Sequence, residues 1–283
     1  MNRADVISQM RDDGIDITEL ICNGKINRCH ATGRSKDRSA WYCMHANGDD
    51  VNGVYGDYSK DTRVVVKSDQ EYVPQTREQR QEIDHERAVL EEAAAQKARW
   101  MWSKLCPTGS SEYAKRKGII SYGARFSKQT GSMAVPLLNY QGVIVGLQFI
   151  YPDGRKSFYP KGIGKKGSYF ELRGNEEVIL IAEGYATACT LREATPYTVI
   201  VAFDAYNLLP VANVVSGIFL RSEIVICGDN DAIGVKYAKK AAEAVAATWI
   251  VPEQEGKDWN DVGLKETRRQ LSNEKNIRER SIG

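Results

Sequence analysis

Two apolar runs, each ending in acidic residues, decide the fold of this chain. The first reads Val178-Ile179-Leu180-Ile181-Ala182-Glu183-Gly184, and the second reads Glu223-Ile224-Val225-Ile226-Cys227-Gly228-Asp229-Asn230-Asp231. Helix-forming sequence follows each run, which predicts buried parallel strands with helices after them. Because the carboxyl ends of parallel strands meet at one edge of a sheet, Glu183, Asp229 and Asp231 should converge in one crevice.

The region around these runs alternates between strand and helix patterns. From residue 176 onward we expect strands at 178–182, 197–203, 223–227 and 248–251, separated by helices at about 185–194, 207–215 and 234–247. This order is typical of an α/β fold in which helices flank a parallel sheet.

Three clustered carboxylates predict a site for a hard divalent cation. Mg²⁺ prefers carboxylate oxygens and keeps positions open for phosphate oxygens, which favours phosphoryl or nucleotidyl transfer. Asp229 and Asp231 would hold metal, while Glu183 would bind a second ion or handle the proton of an attacking hydroxyl. Gly184 would let the backbone approach a phosphate. A D-x-D pair alone is weak evidence, but its position after a strand in an α/β unit strengthens it.

A loop after the last strand offers two further candidate metal ligands. It reads Gly256-Lys257-Asp258-Trp259-Asn260-Asp261. Asp258 and Asp261 would return to the same edge of the sheet. The alternative is a turn that only packs its tryptophan.

Charge is distributed unevenly along the chain. Residues 112–173 hold eleven Lys or Arg and three acids, a net charge of +8, and the net charge of +2 for the whole chain leaves −6 for the rest. A basic module beside acidic residues suits a nucleic-acid strand and a triphosphate, although a solvated surface is the alternative. The candidate contacts with nucleic acid or nucleotide are Lys117, Arg125, Lys156, Lys161, Lys165 and Lys166.

The loop at residues 161–167 contains the pattern G-x-G-x-x-G of dinucleotide-binding folds. No apolar helix follows it, so that interpretation fails. We expect a mobile basic loop that contacts phosphates, with a solvated loop as the alternative. Arg125 is the candidate for a fixed phosphate contact, because a guanidinium can bind two oxygens at once.

The chain divides into five predicted segments. Residues 1–73 form a small β-rich domain that binds template or a partner, and 74–107 form a linking helix. Residues 108–175 are the basic subdomain, 176–263 the catalytic domain, and 264–283 a polar tail.

Composition narrows the class of protein. The hydrophobic fraction of 42% and the charged fraction of 27% fit a globular protein, and no apolar run is long enough to cross a bilayer. The first residues carry no apolar signal, so we expect six reduced cysteines and a cytoplasmic location. A phosphate loop of the ATPase type does not occur in the sequence, which excludes a helicase acting by itself.

The N-terminal region raises the question of zinc. Cys29 and His30 are adjacent, and Cys43 and His45 are one residue apart, whereas a zinc ribbon needs C-x₂-C pairs. The spacing therefore argues against zinc. Four aromatic residues between positions 41 and 58 would either stack on bases or fill the domain core. They are Trp41, Tyr42, Tyr55 and Tyr58.

Several motifs together resemble the Toprim domain of phage and plasmid primases, including the satellite-phage alpha-protein and conjugative-plasmid types. They are Glu183-Gly184-Tyr185-Ala186-Thr187-Ala188, Phe203-Asp204-Ala205 with Asn207-Leu208, Asp229-Asn230-Asp231 and Lys257-Asp258-Trp259-Asn260-Asp261. The stretch from Tyr113 to Gly118, Arg125-Phe126, Asp153-Gly154-Arg155-Lys156 and Gly164-Lys165-Lys166-Gly167 are similar to the basic subdomain that precedes Toprim there. The resemblance covers roughly residues 108–263.

This resemblance implies a Toprim-type parallel sheet preceded by a basic α+β subdomain and a β-rich domain. It also implies synthesis of short RNA primers on single-stranded DNA from nucleoside triphosphates, with Mg²⁺ or Mn²⁺ as cofactor. The primers would serve replication of a phage or mobile element, and a separately encoded helicase would be the partner. Glu183 would be the catalytic acid or base, and Asp229 and Asp231 the metal-binding pair. The alternatives are a Toprim nuclease and a replication or DNA-binding protein with a vestigial site.

Overall fold

The computed structural model describes residues 1–33, 38–48, 50–67 and 77–272. The chain forms two compact units, Met1–Arg80 and Gln81–Gly283. The boundary proposed at residue 73 and most of the tail proposed after residue 264 lie outside the described residues.

The first unit is a helix packed on an antiparallel sheet. Asn2 caps the helix by accepting a hydrogen bond from the Asp5 amide, and Val6 and Met10 on its inner side pack against Tyr42 and Tyr55 of the sheet. Its elements are α1 (Arg3–Asp12), β1 (Ile15–Asp16), β2 (Asn27–Ala31), β3 (Ala40–Asn47), β4 (Asp50–Asp57) and β5 (Thr62–Val66), with the strands paired in sequence order.

The long helix α2 (Arg77–Lys104) packs only through its second half. Ala98 is buried with Ala134 and Leu147 of the basic module. Ile83 and Leu90, which the sequence pattern places on the same apolar stripe, are exposed. The stripe is therefore a buried contact only near the carboxyl end of the helix.

The basic module consists of a short helix and an antiparallel sheet. These are α3 (Glu112–Lys117), β6 (Arg125–Phe126), β7 (Met133–Leu138), β8 (Ile144–Ile150) and β9 (Lys156–Tyr159), in the order β6-β7-β8-β9. A turn joins β8 to β9, where Gly154 adopts φ 93°, a conformation that favours glycine.

The third sheet confirms the predicted α/β fold. Its strands are β10 (Phe170–Leu172), β11 (Asn175–Ala182), β12 (Tyr197–Val201), β13 (Glu223–Cys227) and β14 (Thr248–Ile250), in the order β10-β12-β11-β13-β14. The four later strands are parallel, and β10 pairs antiparallel with β12 at one edge. The helices are α4 (Tyr185–Ala194), α5 (Leu208–Ile218), α6 (Ala232–Val245) and α7 (Leu264–Ser272).

Alternating residues of β11 face two different cores. Ile179 and Ile181 pack with residues of α5 and α6. Leu180 and Ala182 pack with α4 and also with Phe126 and Met133 of the basic module, so the module and this sheet share one core. Within the described residues, no helix combines the length and apolar character that a membrane span requires.

Candidate active site

The carboxylates come together because β11 and β13 are neighbours with a parallel register. Ala182, the last residue of β11, is the partner of Cys227, the last residue of β13. Glu183 therefore leaves the sheet beside Gly228 and Asp229. The Glu183 Oε1 accepts a hydrogen bond of 3.3 Å from the Asp229 amide, which holds the glutamate against the second loop.

Glu183 and Asp229 carry negative charge that the protein does not fully compensate. Burial, together with the charges of Asp229 and Asp231, raises the pKa of Glu183 to about 8. Burial and the charges of Asp258 and Asp231 raise the pKa of Asp229 to about 7. The Asp229 Oδ1 is buried and has no hydrogen-bond partner. Within the described residues this oxygen is thus free to accept a ligand, since buried polar atoms are normally paired.

Asp231 lies at the start of α6. Its Oδ1 accepts hydrogen bonds from the amides of Ile233 at 2.9 Å and Gly234 at 2.7 Å, so the side chain caps the helix while remaining exposed. This arrangement fixes its orientation relative to Asp229.

The loop after β14 returns to the same site. The Asp258 Oδ1 accepts a hydrogen bond of 2.7 Å from the Asp261 amide, and the charge of Asp258 acts on Asp229. Asp261 forms an ion pair of 3.0 Å with Lys117, which lowers the pKa of Asp261. Trp259 is 1% exposed and anchors the loop in the core. The loop therefore both packs its tryptophan and brings Asp258 near Asp229; metal binding by Asp258 and Asp261 stays a prediction.

Close packing at Gly234 is a feature that sequence reasoning missed. The sequence marks this glycine only as a helix start. A Cβ atom there would lie 2.4 Å from the Asp229 carbonyl oxygen and 2.9 Å from the Glu183 Oε1. A glycine at this position therefore lets α6 approach both acidic residues.

Gly184 is different from Gly234. It is the residue before α4, with φ −108°, and an added Cβ would meet only the Thr187 Oγ1 at 3.7 Å. Neither its conformation nor its packing requires glycine. The approach of a phosphate at Gly184 stays a prediction.

Asp204 is a further acidic residue at this edge of the sheet. Sequence analysis identified it only as part of a motif, not as a site residue. It follows Phe203, whose φ of 73° is rare for a bulky residue, and its charge is among those that raise the pKa of Glu183. Asp204 caps the short turn Ala205–Asn207 and forms an ion pair with Lys165. The signal that could have found it was an acidic residue at the end of β12.

Asn207 fastens the basic loop to this edge. Its buried side chain accepts a hydrogen bond from the Gly167 amide at 2.9 Å and donates to the carbonyl oxygens of Ser168 at 3.0 Å and Ala202 at 2.8 Å. The loop of residues 161–167 is thereby tied to the end of β12. Sequence analysis identified Asn207 only as part of a motif and did not predict this role.

The predicted lysine contacts separate into two groups. Lys117 and Lys165 form the ion pairs above, whereas Lys156 is exposed on β9 and is acted on by the charges of Asp229 and Asp258. The other group, Lys161 and Lys166, lies on the basic loop.

Arg125 makes contacts that the sequence did not indicate. Its Nη1 donates to the Trp102 carbonyl oxygen at 2.8 Å, and its guanidinium lies 4.6 Å from the centre of the Trp102 ring. It joins β6 to the end of α2. A role in phosphate binding stays a prediction for this residue.

The donor set fits a divalent cation, although the ligands are not gathered around one point. Within the described parts of the chain, no three His, Cys, Asp or Glu side chains form a ready-made metal site. The unpartnered Asp229 Oδ1 and the raised pKa values of Glu183 and Asp229 nevertheless mark an excess of negative charge on hard oxygen donors.

Comparison with known proteins gives a domain match and similar sequences. Residues 178–268 match the model of the Toprim domain. The chain is 28% identical over 263 residues to the Escherichia coli protein DNA primase TraC, covering 82% of this chain and 24% of that protein. A second E. coli protein of the same name is 28% identical over 258 residues, covering 82% of this chain and 18% of that protein. This chain thus spans a quarter or less of the length of these relatives.

Comparison with solved structures also matched the zinc-binding and RNA polymerase domains of the Aquifex aeolicus primase. The match has a TM-score of 0.46 and 15% identity, and it covers 96% of this chain and 82% of that one. The domain match and the carboxylate-bearing sheet show that residues 178–268 are a Toprim domain, within a chain similar over most of its length to proteins named DNA primase.

Proposed function

We propose that this protein is a DNA primase that synthesises short RNA primers on single-stranded DNA by metal-dependent nucleotidyl transfer. One observation carries the proposal: half-buried Glu183 and Asp229 lie at the ends of adjacent parallel strands, and the charge of Lys156 of the basic module acts on Asp229. Acidic residues for metal and a cation for phosphate therefore lie side by side. The sequence similarity to primases supports the same activity.

Asp229 and Asp231 are the residues that would hold a divalent cation. Glu183, Asp258 and Asp261 would assist as further metal ligands, since the charges of Glu183 and Asp258 interact with Asp229 and Asp261 is hydrogen-bonded to Asp258. A bound Mg²⁺ or Mn²⁺ would neutralise these carboxylates and polarise the α-phosphate of the incoming nucleotide. The cap that Asp231 forms on α6 keeps its carboxylate in place for this role.

Glu183 is suited to the proton transfer that the reaction needs. Its pKa of about 8 lies near neutral pH, so its carboxylate can take the proton of an attacking 3′-hydroxyl. The hydroxyl oxygen then bonds to the α-phosphorus, the bond from that phosphorus to the β-phosphate oxygen breaks, and pyrophosphate leaves. Lys156 and Lys165 would bind the phosphate oxygens, and Lys161 and Lys166 the template.

The partners follow from this activity. The template is single-stranded DNA, the substrates are nucleoside triphosphates, and the setting is replication of a phage or mobile element in the bacterial cytoplasm. A replicative helicase would be supplied by a separate chain.

Primer synthesis on single-stranded DNA tests the proposal. The wild-type protein, with labelled nucleoside triphosphates and Mg²⁺ or Mn²⁺, should make short products that Glu183→Gln does not make. Glu243→Gln is a matched control, because Glu243 lies exposed on α6. Absence of product from the wild type with every nucleotide mixture would refute the proposal.

The same reactions distinguish a Toprim nuclease. An end-labelled template should keep its length in the presence of metal, since the proposed enzyme joins nucleotides. Shortening of that template, lost in Glu183→Gln, would assign the carboxylates to cleavage instead.

A further inference from the structure

The sheet of the first unit has one packed face and one open face. Side chains of a strand alternate between faces, and Tyr42, Met44 and Tyr55 point inward to the core with α1. Trp41 and Cys43 on β3 and Val54 on β4 therefore point to the other face, where they are partly exposed. The aromatic residues of these two strands thus divide: Tyr42 and Tyr55 are core residues, whereas Trp41 lies on the open face.

One row of residues crosses four strands on the open face. Arg28 on β2 is the partner of Trp41 on β3, Trp41 is the partner of Gly56 on β4, and Gly56 is the partner of Arg63 on β5. Neighbouring strands lie about 4.8 Å apart, so Arg28 is about 5 Å and Arg63 about 10 Å from Trp41, measured across the sheet between backbones. Gly56 adds no side chain between Trp41 and Arg63.

The aromatic side chains of this row are held in place. The Trp41 ring packs on the Tyr58 ring with centroids 5.3 Å apart, and the Arg28 guanidinium lies 4.3 Å from the centre of the Tyr58 ring. Arg28 and Arg38 each donate a hydrogen bond to the other's carbonyl oxygen, at 3.3 and 3.0 Å. Trp41 is therefore presented in a fixed orientation.

An apolar row lies beside the arginine and tryptophan row. Cys43 is the partner of Val54, and Val54 is the partner of Val65, which is 57% exposed. This surface would contact the edges of bases or sugars. It extends the flat area that Trp41 begins.

Four of the described acidic residues of this unit lie away from the open face. Asp13 bonds to the inward-facing Tyr55 hydroxyl, Asp57 is buried, and Asp5 and Asp12 lie on α1. Strand alternation places Asp16 of β1 and Asp50 of β4 on the open face, where Asp16 is opposite His30 and Asp50 forms an ion pair of 3.1 Å with the N-terminal amine. The row formed by Arg28 and Arg63 therefore presents positive charge, which complements phosphate.

We propose that this face binds single-stranded DNA, with a base stacked on Trp41 and phosphates bound by Arg28 and Arg63. Bases stack on aromatic rings without sequence preference, and arginines bind phosphates as bidentate donors. A duplex hides its base faces, so only a single strand can use Trp41. This inference rests on the proposed function, because a primase needs a template, but it concerns binding and requires no synthesis.

Fluorescence anisotropy of a labelled oligodeoxythymidylate of about 20 nucleotides, with the full chain and EDTA, tests the proposal. Trp41→Leu should weaken binding about 5- to 150-fold, as expected for one lost stacked base. Trp41→Phe should restore most of that loss. Arg28→Ala with Arg63→Ala should reduce the slope of log affinity against log salt by about 1.4.

Two controls match these changes. Trp100→Leu removes an exposed tryptophan of the second unit, and Arg3→Ala removes an exposed arginine of α1. Neither should change affinity or salt slope as the open-face variants do. Circular dichroism should show that each variant is folded. If Trp41→Leu does not fold, the double arginine variant still tests the proposal, because Arg28 and Arg63 are exposed.

Unchanged affinity and slope in the double arginine variant would overturn the proposal, as would an equal effect of Trp41→Leu on single strand and duplex. Loss of self-association in Trp41→Leu, with DNA binding intact, would also overturn it and assign the face to a protein partner. Normal DNA binding without primer synthesis would instead refute the proposed function and leave this inference standing.

Discussion

Replacing Glu183 by Gln should stabilise the protein and weaken its response to magnesium. The folded state raises the pKa of this carboxyl from 4.5 to about 8, so the folded protein binds more protons than the unfolded chain between these pH values. Stability of the wild type must then fall as pH rises through this interval. The side-chain amide of the variant would keep an oxygen that accepts from the Asp229 amide and would remove the titration.

The size of the effect can be bounded from the pKa. One pKa unit corresponds to about 1.4 kcal/mol, so the full difference sets a ceiling of about 5 kcal/mol above pH 8. Glu183 is half-buried and shares its repulsion with Asp229, so part of this is relieved by solvent and by protonation of the partner. We expect Glu183→Gln to gain about 1–3 kcal/mol at about pH 9, and almost nothing at about pH 5.

Urea denaturation across this pH range, with EDTA and with MgCl₂, measures both parts of the prediction. Magnesium at ten times its dissociation constant should stabilise the wild type by about 1.4 kcal/mol, and Glu183→Gln by much less. Glu243→Gln should follow the wild type at every pH. A stability difference that does not change with pH, or equal stabilisation of both proteins by magnesium, would refute the reasoning.

Three further substitutions test the packing around the site. Gly234→Ala should lose about 1–3 kcal/mol of stability and most primer synthesis, whereas Gly217→Ala, where an added Cβ meets nothing, should be neutral or stabilising in thermal melts. Trp259→Ala should cost about 3–5 kcal/mol in denaturation, because it empties a fully buried site. Asn207→Ala should cost about 2–4 kcal/mol and raise the KM for nucleotide more than it lowers kcat, since the basic loop loses its attachment. An unchanged KM in Asn207→Ala would argue against that loop as a nucleotide contact.

The sequence was informative where local pattern and topology coincide. The short, β-branched apolar run at 178–182 favours a buried strand, and the strand-helix alternation after it leaves few arrangements other than a parallel sheet. The meeting of Glu183 with Asp229 then follows from the register of β11 and β13. Strand was expected around Phe170, but the three residues Phe170–Leu172 carry too short a pattern to assign β10 to the edge of this sheet.

Contacts between distant segments could not be predicted in the same way. A lysine in sequence has no visible partner, so nothing indicated that Lys117 would pair with Asp261 or Lys165 with Asp204. The need for a glycine at residue 234 likewise arises only when α6 passes the loops after β11 and β13. Such properties depend on packing in three dimensions, which periodicity does not encode.

The core shared by the basic module and the carboxylate-bearing sheet determines how this protein can be dissected. Phe126 and Met133 from one segment pack with Leu180 and Ala182 from the other, so neither segment has a complete interior by itself. Cutting the chain between them would expose apolar surface on both pieces and promote aggregation. Evolution can therefore combine the first unit with other partners more easily than it can separate the basic module from the carboxylate-bearing sheet, because these two segments are inherited as a single folding block.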